Sequence, residues 1–456
     1  MLRDAVSPEF IAPVLIIGGG AAGLVAALAA AEHGVEPVLL ERDPLPRGST
    51  ALSAGLIPAA GTRWQAALGI ADDAASFAAD IQRKAGDAAD PLALSAITQA
   101  AAPTLEWLAD RHGLDFSLVN DFDYPGHGRR RMHGLPSRAG AELMDRLLAA
   151  TERAGVTLLT GATATHLHAD ATDMVRAATL ARPDGSTELV GCDALILACS
   201  GYGGDPALVA RHIPELAQAV YFGHAGNRGD ALRWGEALGA ATRHLGGHQG
   251  HGSVAHPAGI LITWAVIMEG GFQTNRVGRR FWNEASGYSE AAAAVLGQPD
   301  GVAWNIFDSR IAAVARQFED FRQAEAHGAI VTAGSPEALA RQLGLPALEL
   351  PPAVGRDGFG RDWSGTQPLA APFHAVRVTG ALFHTQGGLV VDGAARVLRP
   401  DGSALPNLHA AGGAACGVSG PLASGYLSGN GLLTAVVLGR LAGQAAAQRT
   451  LVKSYR

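Results

Sequence analysis

The sequence predicts an α/β fold in two parts: a parallel sheet flanked by helices, with an α+β domain inserted into it. Three observations carry that prediction. The run Val14-Leu-Ile-Ile enters Gly18-x-Gly20-x-x-Gly23, and an Ala-rich stretch from Val25 to Glu32 follows, which reads as strand, tight turn and helix. A second apolar run, Pro37-Val-Leu-Leu40, ends on Glu41, eighteen residues beyond Gly23. The strand–helix rhythm then stops near position 245 and returns near 374. The expected bounds are therefore 1–244 with 374–456 for the sheet domain and 245–373 for the insertion.

The glycines of the turn have separate tasks. The first permits the sharp bend, the second lets a pyrophosphate approach the backbone, and the third lets helix pack on strand. The helix start offers free N–H groups and a positive dipole end to phosphate. A carboxylate at Glu41 accepts hydrogen bonds from an adenosine ribose and repels a 2′-phosphate.

Composition narrows the class. At 456 residues the chain exceeds one simple core. Hydrophobic residues make up 48% of it, yet no apolar run approaches the ~20 residues of a membrane span. Met1–Pro13 carries Asp4 and Glu9 and lacks an apolar core of the kind a signal peptide needs. A net charge of −7 gives no general attraction to nucleic acid or anionic membrane. The cysteines Cys192, Cys199 and Cys416 form no C-x-x-C, which fits a reducing compartment, so the expected location is cytoplasmic.

In chain order, Arg47-Gly-Ser-Thr50-Ala-Leu-Ser53-Ala-Gly55 reads as a hydroxyl-rich loop, and Arg63 to Arg111 as helical, with Ala93, Ile97, Leu105 and Leu108 at helical spacing. Asp121–Gly126 is a turn, Ala141–Arg153 a helix and Val156–Leu159 a strand. Val175–Leu180 and Thr187–Val190 flank Pro183-Asp-Gly185 as a hairpin. Cys192 to Gly204 is a strand ending in a glycine turn, and Ala231–Ala240 a helix. After the insertion come strands at Leu389–Val391 and Leu408–Gly412, and a closing helix from about Gly431 to Gln448. The start of that helix, after Ser428-Gly-Asn430, is suited to hold negative charge on a reduced ring system.

These motifs together resemble the flavoprotein family of soluble fumarate reductases and succinate dehydrogenase flavoprotein subunits over nearly the full length. The elements are the Gly18 fingerprint with Glu41, Gly48-Ser-Thr-x-x-Ser-x-Gly55, Ala198-Cys-Ser-Gly201, Arg279-Arg-Phe281-x-Asn283-Glu284, His384-Thr-Gln-Gly-Gly388, Ala411-Gly412 and Ser428-Gly-Asn430-Gly-Leu432. The resemblance implies a Rossmann-type FAD-binding domain with an inserted capping domain. It implies FAD contacts at Gly18, Gly20, Ala22, Gly23, Glu41, Arg42, Gly48, Ser49, Thr50, Ser53 and Gly55. Further along it implies them at Ala164, Ser200, Gly201, Asp230, Gly412, Ser428, Gly429 and Leu432. The family's covalent flavin linkage uses a histidine near the position of Ser49; none stands there, so FAD is expected to be noncovalent.

The departures from the family bear on substrate. Its pattern Leu-Ile-Thr-Glu-Ala-x-Arg-Gly-Glu-Gly-Gly carries an arginine for proton donation; here Leu261-Ile-Thr-Trp264-Ala-Val-Ile267-Met-Glu-Gly-Gly271 has Ile267 in its place. The arginine of Asn-Arg-Leu-Gly-Gly-Asn, which clamps a carboxylate, is replaced by Tyr426. His256 and His384 remain as substrate-binding candidates, with Asn430 beside them. Without both arginines, fumarate reduction by the usual mechanism is not expected.

Tyr426, Tyr288 and Tyr124 are placed like the tyrosines of the ketosteroid dehydrogenase branch. That likeness implies Tyr426 on a ketone oxygen, Tyr288 as the base for the α-proton, and Tyr124 assisting the base. A phenol aimed at the carbonyl stabilises an enolate, and a tyrosine serves as base once hydrogen bonds lower its ordinary pKa of ≈ 10. His248-x-x-His251 has no third ligand beside it, so no metal is expected.

The expected activity is an FAD-dependent dehydrogenation of CH–CH groups: desaturation of the bond α,β to the carbonyl of a small cyclic ketone or keto acid. The alternatives are an ene-reductase acting on an activated alkene other than fumarate, or a noncatalytic flavin-bound protein. The electron acceptor, whether quinone, electron-transfer protein or dye, is open, as is the choice of monomer or homodimer.

Overall fold

The computed structural model describes residues 1–3, 6–120, 123–124 and 126–454. The chain forms two compact units. The first comprises Met1–Leu208, Gly223–His248 and His384–Arg456; the second comprises Val209–Phe222 and Gln249–Phe383.

In the first unit, the central strand Phe10–Ile17 pairs in parallel with Pro37–Leu40 on one side and Thr187–Leu197 on the other. The sheet continues outward through Thr157–Leu159 at one edge and through Ala404–Ala410 to Arg396–Leu398 at the other. Register sets the site. Ile17 lies opposite Leu40 and Leu197, and Leu197 opposite Ala410, so Gly18, Glu41, Ala198 and Ala411 all emerge at one carboxyl edge. Ligands bind at that edge in such sheets.

The hairpin expected around Pro183–Gly185 is present, formed by Val175–Ala181 and Thr187–Leu197. The second of these strands runs on into the central sheet, so hairpin and core strand are one element. Three helices replace the single helical region expected from Arg63 to Arg111: Arg63–Ala67, Ala74–Ala85 and Pro91–His112. Their breaks follow local chemistry. Asp73 and Asp90 cap the second and third through backbone N–H groups, and Gly86 ends the second in the left-handed region at φ +61°.

The first helix, Ala21–Glu32, is buried from Ala21 through Ala30 and packs on the closing helix, Asn430–Ser454. Small residues make that approach possible. A Cβ on Gly439 would stand 2.5 Å from the Ala22 carbonyl oxygen, and one on Gly443 would stand 2.2 Å from that of Ala26. Ala22 thus lies in a helix–helix seam.

A buried ion cluster ties loop to helix in the same unit. The Arg131 guanidinium bonds Asp72 through Nε at 2.6 Å and Nη2 at 2.9 Å, and its Nη1 reaches Asp80. Asp80 also accepts from the Gly128 N–H at 2.7 Å and from Arg83. The Arg131 and Asp72 side chains are 1% and 0% exposed.

The second unit is built on the long strand Phe373–Thr385. It pairs antiparallel with Val302–Asp308 and with Ile330–Ala333, and parallel with Val220–Tyr221. That last pairing draws Val209–Phe222 into this unit, and the strand's length carries the unit to Phe383. Neither feature shows in the composition shift at 245 and 373. Two apolar clusters fill it, one around Phe307, Phe321 and Val376, the other around Phe272, Leu339 and Trp363.

Candidate functional site

The glycine turn has the geometry of a phosphate cradle. Gly18 has φ +112°, and a Cβ there would meet the Ala198 carbonyl oxygen at 2.4 Å. A Cβ on Gly23 would meet the Gly18 carbonyl at 1.9 Å, which is the close helix–strand packing the third glycine serves. Gly20 differs. Its Cβ would meet only Thr50 Oγ1, at 3.6 Å, leaving open space at the helix start.

Glu41 closes the turn. Its Oε2 accepts from the Gly19 N–H at 2.8 Å and its Oε1 from the Asp43 N–H at 2.9 Å. Both bonds orient the carboxylate and leave lone pairs for ribose hydroxyls. Arg42 lies close across Gly226, with Nη2 3.3 Å from His224 Nδ1 and Nε 3.3 Å from Asp43. The segment expected as a loop forms a helical turn at Gly48–Ala51. Thr50 Oγ1 accepts from the Ala21 N–H at 3.2 Å. Ser49 Oγ accepts from the His224 N–H at 3.0 Å and from Asn227 Nδ2 at 2.8 Å, so its own proton is left to donate.

Other expected contacts serve the fold visibly. Ser53 donates to the Thr50 carbonyl at 2.7 Å, and a Cβ on Gly55 would stand 2.7 Å from the Ala139 carbonyl carbon. Ala164 pairs with Leu180 in the hairpin sheet. Ser200 turns the chain at φ +67°, and Gly201 leaves room for Thr385. Asp230 begins the helix Asp230–Ala237 and pairs with Arg233 at 2.7 Å. Gly412 adopts φ +60° against Ala22 and Ala435, and Leu432 packs on the core.

At the start of the closing helix, Tyr426 is 7% exposed and stands edge-on to His384, with ring centroids 5.4 Å apart at 72°. The imidazole lies against the backbone of Gly431, where a Cβ would be 2.9 Å from Nε2. Burial pushes the His384 pKa down to about 4, so the ring is neutral at physiological pH. Asn430 is fully buried, and its Oδ1 has no partner among the described residues. Gly429 takes φ +85°, and the Ser428 carbonyl is 3.0 Å from His127 Nε2. Tyr124 packs on Leu56, Val119 and Met132; Asp121, Phe122 and Pro125 of its loop lie outside the described residues.

In the second unit, Tyr288 opens the helix Tyr288–Leu296 and stacks on His251 at 5.2 Å. His251 stacks in turn on Phe383 at 5.4 Å, and Phe383 on Phe222 at 5.0 Å. Burial drives the His251 pKa to about 3. Ile267 is fully buried in a cluster with Trp264 and Ala291, and Trp282 and Tyr288 pack against it. The side chain at the family arginine's position is thus packed among apolar groups, while the Ile267 carbonyl accepts from the buried Arg361 at 3.0 Å. His256 is exposed, just beyond the strand His248–Ala255. It is not joined to this cluster in the structure; His248 and His251 of the same run are both buried, and it is His251, weighed in the sequence only as a metal ligand, that packs on Tyr288. The H-x-x-H spacing suggests a ligand pair, but in a strand residues three apart face opposite sides. Among the described residues no group of three His, Cys, Asp or Glu could hold a metal.

Edge, glycine turn and ribose carboxylate define a dinucleotide-binding flavoprotein, and the comparisons agree. Residues 13–432 match the family described as FAD binding domain, and the chain belongs to that family. It is an FAD-dependent oxidoreductase of the type that acts on CH–CH groups. A probable fumarate reductase, Ifc3, of Shewanella frigidimarina (strain NCIMB 400) is 28% identical, covering 98% of this chain and 77% of that protein. A urocanate reductase of Eggerthella lenta is 26% identical over 95% and 74%. Among solved structures, the open conformation of a flavocytochrome c3 fumarate reductase superposes with a TM-score of 0.85 at 26% identity, covering 98% of this chain and 79% of that one. The 3-ketosteroid-Δ4-(5α)-dehydrogenase of Rhodococcus jostii RHA1 shares the fold, with a TM-score of 0.76 at 22% identity over 98% and 99%. No helix among the described residues is long and apolar enough to cross a membrane.

The residues present fit FAD. The open space at Gly20 accommodates pyrophosphate, and the oriented Glu41 carboxylate keeps lone pairs for the ribose hydroxyls. The Gly48–Ala51 turn holds no histidine. Purified protein is therefore expected to release all its FAD on acid or heat denaturation, read by absorbance of the supernatant. Flavin remaining on the denatured chain would contradict noncovalent binding. Glu41→Ala is expected to weaken FAD retention by about 1.5–3 kcal/mol, the worth of hydrogen bonds to a charged acceptor.

Proposed function

We propose that the enzyme desaturates the bond α,β to the carbonyl of a small cyclic ketone or keto acid. The observation that supports this most is the Tyr426–His384 pair in the FAD-binding unit: two buried, uncharged hydrogen-bonding groups where carboxylate recognition requires a cation.

In this reading Tyr426 donates to the substrate carbonyl, and as the α-proton leaves, that bond strengthens onto the enolate oxygen. Tyr288 takes the α-proton, with its ring held by the stack on His251. Tyr124 assists the base, while His384 and Asn430 bind substrate. The apolar side chains of Ile267 and Trp264 favour an uncharged substrate ring, and the buried Arg361 beside them is already paired with Glu284. Bound FAD supplies the acceptor for the β-hydride. The second unit acts as the capping domain, and the reduced enzyme passes electrons to a quinone, an electron-transfer protein or a dye.

A second reading runs the same groups in reverse, as an ene-reductase of an activated alkene. The relatives favour it, being named as reductases of fumarate, vinyl phenol and urocanate and as an NADH:acrylate oxidoreductase.

One paired assay separates these. Cyclic ketones with an artificial acceptor, under anaerobic conditions, are expected to reduce the flavin. Cyclic enones with reduced viologen should reoxidise it more slowly. Fumarate and succinate should be poor substrates in either assay. Fast fumarate reduction would overturn the reading of Ile267 and Tyr426, and faster enone reduction would select the reductase.

A further inference from the structure

His384 ends a run of buried side-chain hydrogen bonds that lies wholly within the FAD-binding unit. Asn430 Nδ2 donates to Ser419 Oγ at 3.1 Å; Ser419 Oγ donates to Gln386 Oε1 at 2.7 Å; Gln386 Nε2 donates to His384 Nδ1 at 2.9 Å. Asn430, Ser419 and Gln386 are at most 5% exposed. The run has one sense. The single Ser419 proton is committed to Gln386, and its lone pair is taken by Asn430.

A ring nitrogen that accepts a hydrogen bond carries no proton, so a neutral imidazole in this arrangement holds its proton on Nε2. We propose that Gln386 is a positioning residue that fixes His384 in the Nε2–H tautomer, making it a hydrogen-bond donor for an uncharged carbonyl oxygen. The carbonyl clause rests on the ketone reading above; the tautomer clause does not. The displaced pKa agrees, because burial keeps the ring neutral and so bars it from serving as the proton source. The backbone of Thr385 bears on the same ring in the opposite sense, favouring an added proton. The amide contact at 2.9 Å meets the geometry of a hydrogen bond.

Gln386 is suited to substitution because its backbone is anchored separately. Its N–H donates to the Gly247 carbonyl at 2.8 Å, and its carbonyl accepts from Gly417 at 2.8 Å. Glu at this position keeps the volume but offers only acceptors, so it draws the proton onto Nδ1.

The test is long-range proton–nitrogen correlation NMR on FAD-loaded, 15N-histidine-labelled protein, with the His384 signal assigned by its loss in His384→Asn. The expected wild-type pattern is a neutral ring protonated on Nε2. In Gln386→Glu that pattern should be lost, giving Nδ1–H or the doubly protonated ring. An Nδ1–H ring in the wild type would mean that both amides are turned over, and would overturn the proposal without any variant. Persistence of the wild-type pattern in Gln386→Glu would overturn it equally. Cyclohex-2-enone should then move the wild-type Nε2 signal. If it does not while the tautomer is as expected, the ketone reading fails and the role of Gln386 stands.

Discussion

Tyr426→Phe is expected to lower turnover on a carbonyl substrate by on the order of 10²–10³, the loss that follows removal of one donor to a developing oxyanion. The change deletes a hydroxyl and keeps the ring, so the edge-on contact with His384 persists. FAD content and melting should stay at wild-type levels, because no cofactor contact is assigned to the phenol. Tyr288→Phe is expected to lose at least ~10²-fold through the proton-transfer step, again with FAD retained. Single-turnover flavin reduction, flavin content and melting measured on the same samples separate this from a packing role. A packing tyrosine would lower stability or flavin content and spare the reduction rate. Full-rate flavin reduction in both variants would remove the tyrosine mechanism.

The largest effect on stability is expected from Arg131→Leu. The substitution leaves the Asp72 and Asp80 carboxylates buried without their shared cation, and breaking a buried pair in this way costs about 3–5 kcal/mol. Burial alone would raise the Asp80 pKa; hydrogen bonds from Arg131, the Gly128 N–H and Arg83 outweigh it and bring the value from the ordinary 3.8 down to about 2. The sign of the pH dependence follows. A carboxylate depressed in the folded state contributes stability in full above its unfolded pKa, and loses it as pH falls through the folded value. The difference between wild type and Arg131→Leu is therefore expected to be constant at neutral pH and to shrink between about pH 4 and pH 2. Denaturant melts across that range check it. A difference that does not depend on pH would assign the loss to packing around Phe77, over whose ring the guanidinium lies at 5.0 Å.

What the sequence disclosed was local chemistry. Gly18, Gly20, Gly23 and Glu41 are legible because turn geometry and ribose recognition restrict residue type at fixed spacing, and the structure brings them to one sheet edge. The strand Pro37–Leu40 and the helix Gly140–Arg153 follow from short-range pattern. What stayed hidden depends on partners distant in sequence. Arg131 is one arginine among many until Asp72 and Asp80 fold over it. Val209–Phe222 joins the second unit through strand pairing with Ala381 and Leu382 and the stack of Phe222 on Phe383, both far away in the chain. His251 was masked by a spacing that suggests metal, whereas His256, before its proline, was read as a substrate ligand and is exposed. The stacks on Tyr288 and Phe383 that distinguish His251 leave no trace in local pattern. Gln386 was read only as part of a motif, since its amide gains meaning from Ser419 and Asn430.

The alanine–glycine seam between the first and the closing helix bears on biosynthesis. During translation the first helix leaves the ribosome with its apolar face bare, and the surface that covers it is made only after the whole second unit has been synthesised. Most of the second unit is continuous in the chain and can condense in the interval. The nascent FAD-binding unit thus waits with alanine surface exposed, and Gly439 and Gly443 complete it once their helix emerges. A bulky residue at either glycine would act at that last docking step, so such variants should accumulate as chaperone-bound or aggregated chains lacking flavin.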